Sequence, residues 1–359
     1  MDDELERLLD LEQYSLGVRE KEAWLVRGLN RLTAHHAQRC PAYARMLEAA
    51  SQEPLDGARL DEVPYLPVSL FKWIKLASVP DDEIFRVMTS SGTTSQVPSR
   101  VYLDIETARL QTRALSSIVT HHLGPRRRPM LIIDQPGVIA DRRHLSARGA
   151  GILGMLSYGR DHLYVLDDQM RLDRAGLQAW LDRHAGEDLL LFGFTFMVWQ
   201  YFCQQLSGAG VDLSRATLVH SGGWKKLADA RVDAPTFRAR LRETFGLEHV
   251  HDFYGMVEQV GSVFFECPAG YLHPPNFADV LVRNPRSWAP VPVGEAGIVE
   301  VLSLLPRSYP GHALLTEDIG VVHGVDDCPC GRKGRRFTVT GRVAKSEIRG
   351  CSDTHERRG

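Results

Sequence analysis

The chain has 359 residues, of which 43% are hydrophobic and 25% are charged, and its formal net charge is −2. This composition is typical of a soluble globular protein with a sizeable core, and near-neutral charge does not favour nucleic acid or a membrane surface as partner. The acidic start is unlike a signal peptide, no apolar run approaches the roughly 20 residues of a membrane span, and six cysteines are too few for a disulfide scaffold. We therefore expect a cytoplasmic protein with reduced thiols, no nucleic acid partner and no membrane span.

Residues 1 to about 80 are predicted to be mostly helical, because apolar residues recur at helical spacing around Trp24 and again around Tyr43. From residue 81 to 260, apolar strand-like runs alternate with amphipathic stretches, which predicts an α/β sheet with parallel strands. From residue 261 to 340, short β-rich runs between Pro and Gly clusters predict a small β subdomain. The individual predictions are strands at 130–133, 163–166, 189–192, 217–220, 280–283 and 298–302, and helices at 107–121, 173–184 and 234–245.

A segment rich in hydroxyl side chains, residues 87–99, follows a strand-like run at 84–85 and is expected to precede a helix. Hydroxyls and free backbone N–H groups on a flexible turn suit the oxygens of a polyphosphate. The Gly-Lys-Ser/Thr of a Walker A loop is absent, and composition alone fits an ordinary surface loop equally well. The candidate phosphate-binding residues are Thr89, Ser90, Ser91, Gly92, Thr93, Thr94 and Ser95.

Four residues of the β-rich part are of the types that bind zinc: Cys267, His273, Cys328 and Cys330. They predict a structural Zn²⁺ site, the alternative being two unrelated pairs of thiols. Cys40 and Cys203 stand in apolar helical surroundings, which is typical of inert buried thiols.

A lone cysteine, Cys351, stands on a polar tail at residues 341–359. Such a composition cannot pack a core, so we expect the tail to be mobile or loosely docked. A thiol on a movable arm suits an enzyme that carries an acyl group as a thioester. An incidental terminal cysteine is the alternative.

The order Ser-Ser-Gly-Thr-Thr at residues 90–94 resembles the phosphate loop of the adenylate-forming superfamily, to which the acyl-CoA synthetases belong. Two departures stand out. Ser95 replaces a usual Gly, and Ser99 replaces the usual Lys after the Pro, with one extra residue before it. The resemblance implies that this loop binds the phosphates of ATP. The two departures imply that its contacts with them differ in detail from those of the superfamily.

Two further segments resemble the part of the superfamily that binds the base. Gly222 and Gly223 follow a predicted strand, and glycines would let the backbone approach a flat ring. Residues 252–258 resemble the segment Asn/Asp-x-Tyr-Gly-x-x-Glu. This implies that Asp252 faces the adenine amino group and that Tyr254, followed by Gly255, stacks on the base.

The same resemblance implies roles for three charged residues. Glu258 would hold Mg²⁺, a hard cation that prefers carboxylate and phosphate oxygens. Asp318 would bind both ribose hydroxyls, and Arg342 would be the hinge arginine near the nucleotide. Taken singly, Glu258 is equally compatible with a solvated helix residue and Asp318 with a turn former.

Nearly the full length is similar to the LuxE-type acyl-protein synthetases, the ligase subunits of the bacterial luminescence fatty acid reductase. The similarity implies the adenylate-forming N-terminal domain over residues 1–340, without the large C-terminal domain of ordinary acyl-CoA synthetases, and a hinge-like tail over 341–359. It also implies that Cys351 accepts the acyl group from an acyl-adenylate and presents it to a partner reductase. The segments that carry this resemblance are 220–226, 308–312, 315–320, 328–333 and 341–352.

The resulting hypothesis is activation of a carboxylic acid, with a fatty acid favoured, by ATP and Mg²⁺, followed by transfer to Cys351. The apolar stretch at 192–197 fits an acyl pocket or, preferably, the core, and Arg143 and His144 are candidates for meeting the carboxylate. Two alternatives stay open: a phenylacetate-type acyl-CoA ligase, which would not need Cys351, and a nucleotide-binding regulator, which would also not need Glu258.

Overall fold

A computed structural model describes residues 2–50, 57–90, 97–140, 146–223 and 232–343. These residues form two compact units. The first unit contains the described residues up to 90, from 97 to 122 and from 254 to 343, and the second contains those from 123 to 253. No helix within the described ranges is long and apolar enough to cross a membrane.

The helices number ten in the described part of the chain. They are α1 (Asp2–Asp10), α2 (Val18–Arg39), α3 (Pro41–Ala49), α4 (Leu70–Trp73), α5 (Ile105–Leu123), α6 (Ala147–Leu156), α7 (Arg174–Arg183), α8 (Thr195–Met197), α9 (Gln204–Leu206) and α10 (Ala234–Phe245). A π-helical turn, Val198–Cys203, joins α8 to α9.

The strands of the same ranges are β1 (Leu66–Pro67), β2 (Arg86–Thr89), β3 (Arg100–Leu103), β4 (Arg128–Ile133), β5 (Gly159–Tyr164), β6 (Leu189–Phe194), β7 (Ala216–Ser221), β8 (His249–Tyr254), β9 (Phe264–Glu266), β10 (Leu272–His273), β11 (Ala278–Arg283), β12 (Ala296–Ser303), β13 (Ala313–Val325) and β14 (Arg335–Arg342).

The second unit is built on a parallel sheet in the order β5-β4-β6-β7-β8. Strands β6 and β7 are buried along their whole length, which explains why they are continuous apolar runs and why they were predictable from sequence. Helix α10 begins after Asp233, whose side chain accepts a hydrogen bond from the Thr236 N–H, and ends at Gly246 in the left-handed region. These caps place α10 at the predicted residues.

The first unit is built on antiparallel strands in the order β11-β12-β13-β14-β10-β9, and β1 pairs with β13 in parallel. Predicted strands 280–283 and 298–302 lie within β11 and β12, so the β-rich reading of this part of the chain is confirmed. The register of β13 and β14 sets Asp318 directly opposite Arg342.

The N-terminal helices are confirmed and are anchored to this antiparallel sheet by buried polar contacts. Lys21 of α2 is 1% exposed, and its ammonium donates to the Pro274 carbonyl at 3.1 Å. The Asp326 carboxylate accepts from the N–H of Val18, the first residue of α2. The helical region is therefore part of the same folded unit as strands that lie some 250 residues later in the chain.

One sequence prediction needs correction, and one strand was missed. The Ser/Thr-rich segment precedes a strand rather than a helix, because β2 and β3 pair as an antiparallel hairpin around it and α5 begins only after β3. Strand β8 was not predicted, because its sequence, His-Val-His-Asp-Phe-Tyr, is mostly polar and half-buried and carries no apolar run.

Candidate active site and candidate metal centre

In the second unit, three of the predicted site residues lie together at the carboxyl ends of neighbouring parallel strands. Gly222 and Gly223 follow β7, and Asp252 lies near the end of β8, paired with His220 in register. Gly222 has φ of 87°, a conformation that favours glycine. The carboxyl ends of strands are where ligands bind in open α/β sheets.

The Asp252 carboxylate faces a buried histidine. One Asp252 oxygen lies 3.7 Å from Nδ1 of His220, and the same nitrogen is 2.9 Å from the Thr195 hydroxyl. Burial, with smaller effects of Arg238 and His251, lowers the pKa of His220 to about 3, so this ring is neutral. Asp252 is half-buried: its Oδ1 is buried beside His220, while the side chain as a whole is 46% exposed.

In the first unit, the central feature is the Asp318 carboxylate, which accepts two hydrogen bonds on different oxygens. Tyr254 donates its hydroxyl to Oδ2 at 2.7 Å, and Arg342 donates Nε–H to Oδ1 at 2.8 Å. Strand register explains the second contact, since Asp318 and Arg342 are cross-strand partners. Each carboxylate oxygen has two lone pairs, so Asp318 retains acceptor capacity on both for a pair of hydroxyls.

Charge and burial act together around Asp318. Burial and then the Asp318 charge raise the pKa of Tyr254 well above its ordinary value, so the phenol stays protonated and donates. The Asp318 carboxylate raises the pKa of Arg342 against the opposing effect of burial. The Tyr254 ring is stacked near that of Phe264, with centroids 6.1 Å apart, and Phe337 lies edge-on to it. The ring is thereby held in a fixed orientation.

Glu258 lies a few residues beyond β8, on the short 3₁₀ turn Val257–Gln259. Its side chain is buried and hydrogen-bonded to Ser99, and burial raises its pKa, with Arg342 and Lys72 acting weakly in the opposite direction. Among the residues described, no cation pairs directly with Glu258. A buried carboxylate with a hydroxyl partner and no ion pair fits a residue that binds a hard cation.

Ser99 also forms hydrogen bonds with Ser90, so residues 90 and 99 of the Ser/Thr-rich segment lie side by side. The Ser90 N–H donates to the Ser99 carbonyl at 3.1 Å, and the Ser99 N–H donates to the Ser90 hydroxyl at 2.9 Å. The neighbouring residues Thr89 and Arg100 are paired in the β2–β3 ladder. Sequence reasoning noticed Ser99 only as a departure from the superfamily pattern and missed its contact with Glu258. No local signal in the sequence indicates it.

The four predicted zinc ligands come together in the first unit, and their donor atoms all lie within 4.8 Å of one another. Cys267 Sγ is 3.8 Å from Cys328 Sγ, Cys330 Sγ is 3.2 Å from Cys328 Sγ, and Cys330 Sγ is 3.6 Å from His273 Nε2. Tetrahedral zinc with Zn–S bonds of about 2.3 Å sets sulfurs about 3.8 Å apart, so these donors fit the ion.

The surroundings of this Cys/His cluster favour a cation as well. His273 is fully buried, and its Nδ1 has no partner among the residues that the structure describes. Burial raises the pKa of the Cys328 thiol to about 12, and a metal, when bound, would be the positive charge that favours its thiolate. Cys40 and Cys203 are buried elsewhere, as expected of inert thiols.

Several predicted residues lie outside the described ranges, and their placement stays a prediction. These are Ser91, Gly92, Thr93, Thr94, Ser95, Arg143, His144 and Cys351. Gly255 is described and follows Tyr254. Phe192 and Phe194 are buried in the second unit, and the choice between core and acyl pocket at these two positions stays a prediction.

The fold is that of the adenylate-forming ligases. An open conformation of 2-hydroxyisobutyryl-CoA ligase, solved with 2-HIB-AMP and CoA, matches with a TM-score of 0.70 at 18% identity, covering 92% of this chain and 77% of that one. At this identity the likeness shows the fold alone.

The family follows from sequence. A family model described as "Acyl-protein synthetase, LuxE" matches residues 3–358. Two curated relatives, both named long-chain-fatty-acid–luciferin-component ligase, come from Aliivibrio fischeri and Vibrio harveyi. They are 25% and 26% identical, covering 82% of this chain in each case and 78% and 77% of the relatives. The chain belongs to the LuxE family of acyl-protein synthetases, which are AMP-forming acid–thiol ligases.

Proposed function

We propose that this enzyme uses ATP to convert a long-chain fatty acid into an acyl-adenylate and then binds the acyl group to Cys351 as a thioester for delivery to a partner protein such as a reductase. The family and the names of the two curated relatives support the acid class. The observation that carries the adenylation step is the arrangement at Asp318, whose two oxygens are fixed by Tyr254 and Arg342 while each retains a lone pair. That geometry suits two neighbouring ribose hydroxyls.

In the first step, a carboxylate oxygen of the acid attacks the α-phosphorus of ATP, a P–O bond forms, and the bond to pyrophosphate breaks. Positioning and charge stabilisation supply most of such a rate enhancement. Magnesium, when bound, would neutralise phosphate charge, and Glu258 is the residue that would hold it. The hydroxyl-rich segment closed by Ser90 and Ser99 would receive the phosphates.

In the second step, the Cys351 thiolate attacks the acyl carbonyl carbon, the C–S bond forms and the C–O bond to AMP breaks. AMP leaves with both electrons of that bond, so the step needs no oxidant or further cofactor. The thiol stands nine residues after Arg342 in the sequence, which bonds to Asp318. A short stretch of sequence thus separates the acceptor thiol from the arginine that we place beside the nucleotide.

We further propose that Cys267, His273, Cys328 and Cys330 bind a structural zinc ion. Four protein donors leave no open position for a substrate, so the expected role is stability rather than chemistry.

The decisive experiment separates the two steps. Long-chain fatty acids should support ATP–pyrophosphate exchange, and with ATP and a radiolabelled acid the protein should gain a label that survives denaturation and is released by neutral hydroxylamine. Cys351→Ser should abolish that label and leave exchange near wild type, because adenylation precedes thiol attack. Cys40→Ala, which removes a buried thiol, is the matched control and should keep both.

The rival functions predict other results. Efficient acyl transfer to free CoA by Cys351→Ser would favour the acyl-CoA ligase. Absence of exchange with every fatty and aromatic acid tried would favour a nucleotide-binding regulator.

A further inference from the structure

A groove of about 520 Å³ in the second unit has no part in the function proposed so far. It lies where β4, β5, β6 and β7 begin, at the amino ends of these parallel strands. The predicted base-binding residues Gly222, Gly223 and Asp252 lie at the opposite, carboxyl ends of the same sheet. The charged residues that line the groove are Arg126, Arg127, Arg128, Arg160, Arg215, Glu187 and Asp188.

Five arginines against two carboxylates leave the groove with an excess of three positive charges, in a chain whose net charge is −2. Two of the arginines are neutralised. Arg215 Nη2 lies 2.7 Å from Asp188 Oδ1, and Arg160 pairs with Glu187. The other three occupy consecutive positions, 126 to 128, and none of them pairs with a carboxylate in the part of the chain that the structure describes. The excess charge is therefore concentrated on one short segment.

These three arginines are partly fixed in place and keep donors for a ligand. Arg128 donates from Nη1 to the Thr217 hydroxyl at 3.0 Å. Arg127 donates from Nε to the Gly159 carbonyl at 2.8 Å, and its two Nη groups make no hydrogen bond with any described residue. Arg126 is exposed and has no hydrogen bond or ion pair within the described ranges. Guanidinium groups with free Nη donors match the oxygens of phosphates and carboxylates.

The spacing of the arginines favours linked phosphates over an acidic peptide. Neighbouring Cα atoms are about 3.8 Å apart, so three charges start from backbone positions within roughly 8 Å of one another. Carboxylates on one side of an extended peptide recur only every 7 Å or so, because alternate side chains point to opposite sides. A polyphosphate instead carries its charges on directly bonded groups.

The size and the lining of the groove exclude other polyanions. A volume of 520 Å³ lies within the range of roughly 300 to 1,000 Å³ that is usual for small-molecule sites. None of the described residues that line the groove is aromatic, so it offers no surface on which the bases of a single-stranded nucleic acid could stack.

We infer that this arginine groove binds a polyphosphate group of two or three linked phosphates, either free or as the tail of a nucleotide, at a site separate from the adenylation site. Arg126 and Arg127 donate their free N–H groups to the phosphate oxygens, and Arg128 contributes charge from its fixed position. The inference does not depend on the proposed adenylation chemistry, because the groove and the predicted base-binding residues lie at opposite ends of the strands.

The test measures binding of inorganic tripolyphosphate to the full chain by isothermal titration calorimetry in Mg²⁺-free buffer. Arg126→Gln should raise the dissociation constant about 10-fold, because it removes hydrogen bonds between charged groups. Arg126 contacts no described partner, so this variant should fold as the wild type does. Arg126→Gln combined with Arg127→Gln should raise the dissociation constant about 100-fold.

Arg171→Gln is the matched control. It removes one positive charge from the second unit, at an exposed arginine that pairs with Asp167 and does not line the groove. Its dissociation constant for tripolyphosphate should stay within about 2-fold of the wild-type value, because exposed charges at a distance are screened by salt.

A titration with ATP distinguishes the two sources of the polyphosphate. If the groove takes the tail of a nucleotide, the double variant should bind one ATP fewer than the wild type. If ATP binding is the same in both proteins while tripolyphosphate binding is lost, the ligand is a free polyphosphate. Either result supports the inference.

Three results would overturn it. Arg126→Gln could bind tripolyphosphate as tightly as the wild type. Arg171→Gln could weaken binding as much as Arg126→Gln, which would make the effect one of overall charge. A hexaglutamate peptide could bind the wild type as tightly as tripolyphosphate, and the groove would then be a docking site for an acidic protein segment.

Discussion

Two polar sites of the first unit, the Cys/His cluster and the Glu258 site, differ in the number of protein donors that each offers to a cation. The Cys/His cluster brings four ligands within 4.8 Å of one another, enough to enclose an ion entirely. The Glu258 site presents a single buried carboxylate, with a hydroxyl partner at Ser99. A closed donor set can only stabilise the fold, whereas an incomplete one leaves room for substrate. Loss of each site should therefore have a different signature.

The largest effect is expected from Cys328→Ser. Removing one ligand of a closed site should lower the free energy of unfolding by about 4 kcal/mol, because zinc binding and folding are coupled. Metal analysis should find about one zinc per wild-type chain and less in the variant, and calorimetry should record the loss of stability. Cys203→Ser, at a buried thiol outside the cluster, is the control and should keep its metal. Wild-type protein without zinc, together with a stable Cys328→Ser, would contradict the prediction.

Glu258→Gln should have the opposite signature. An amide holds Mg²⁺ poorly, so pyrophosphate exchange should fall about 100-fold. Because burial raises the pKa of Glu258, the folded state binds a proton more readily than the unfolded state there, and stability is lost as pH rises through the raised pKa. In Mg²⁺-free buffer the variant should melt at or above the wild-type temperature near pH 7. That difference should vanish below the ordinary carboxyl range, where Glu258 is protonated in both states.

This prediction has two separate checks. Unchanged exchange would remove Glu258 from the metal site. A clear drop in the melting temperature at neutral pH would show that its carboxylate is a structural group.

The smallest effect is expected from Arg342→Gln. Asp318 would keep its hydrogen bond from Tyr254 and lose the charged one, and a hydrogen bond to a charged group contributes about 1.5 to 3 kcal/mol. We expect the KM for ATP to rise about 10-fold and the free energy of unfolding to fall by less than about 3 kcal/mol. Arg336 lies on the same strand as Arg342 and pairs with Asp327. Arg336→Gln breaks that pair and should leave the KM for ATP unchanged. Equal effects of the two substitutions would mean that Arg342 acts only through the sheet.

The sequence predicted those parts of the fold whose pattern is local. Buried parallel strands such as β6 are unbroken apolar runs, and α10 has an aspartate cap and a terminal glycine, so both can be located by residue type alone. Strand β8 is polar and half-buried, and the partner of β2 lies beyond the Ser/Thr-rich segment in the sequence, so neither was recognised.

The same distinction holds for the candidate site. The Cys/His cluster was predictable because few residue types bind zinc, even though Cys267 and Cys328 are 61 positions apart. The contacts of Ser99 with Glu258 and of Gly311 with the Glu258 carbonyl depend on backbone paths that no motif records. The family resemblance indicated the candidate site residues, and the packing of the structure shows which neighbours contact them.

The buried contacts of α2 have a consequence for synthesis on the ribosome. The Pro274 carbonyl that Lys21 binds is translated 253 residues after Lys21 itself. Until then Lys21 lacks this acceptor, and contacts so distant in sequence form slowly. The nascent N-terminal helices thus lack their contacts with the antiparallel sheet until its strands have been made. Premature release would leave them as a substrate for chaperones and proteases rather than as a folded fragment.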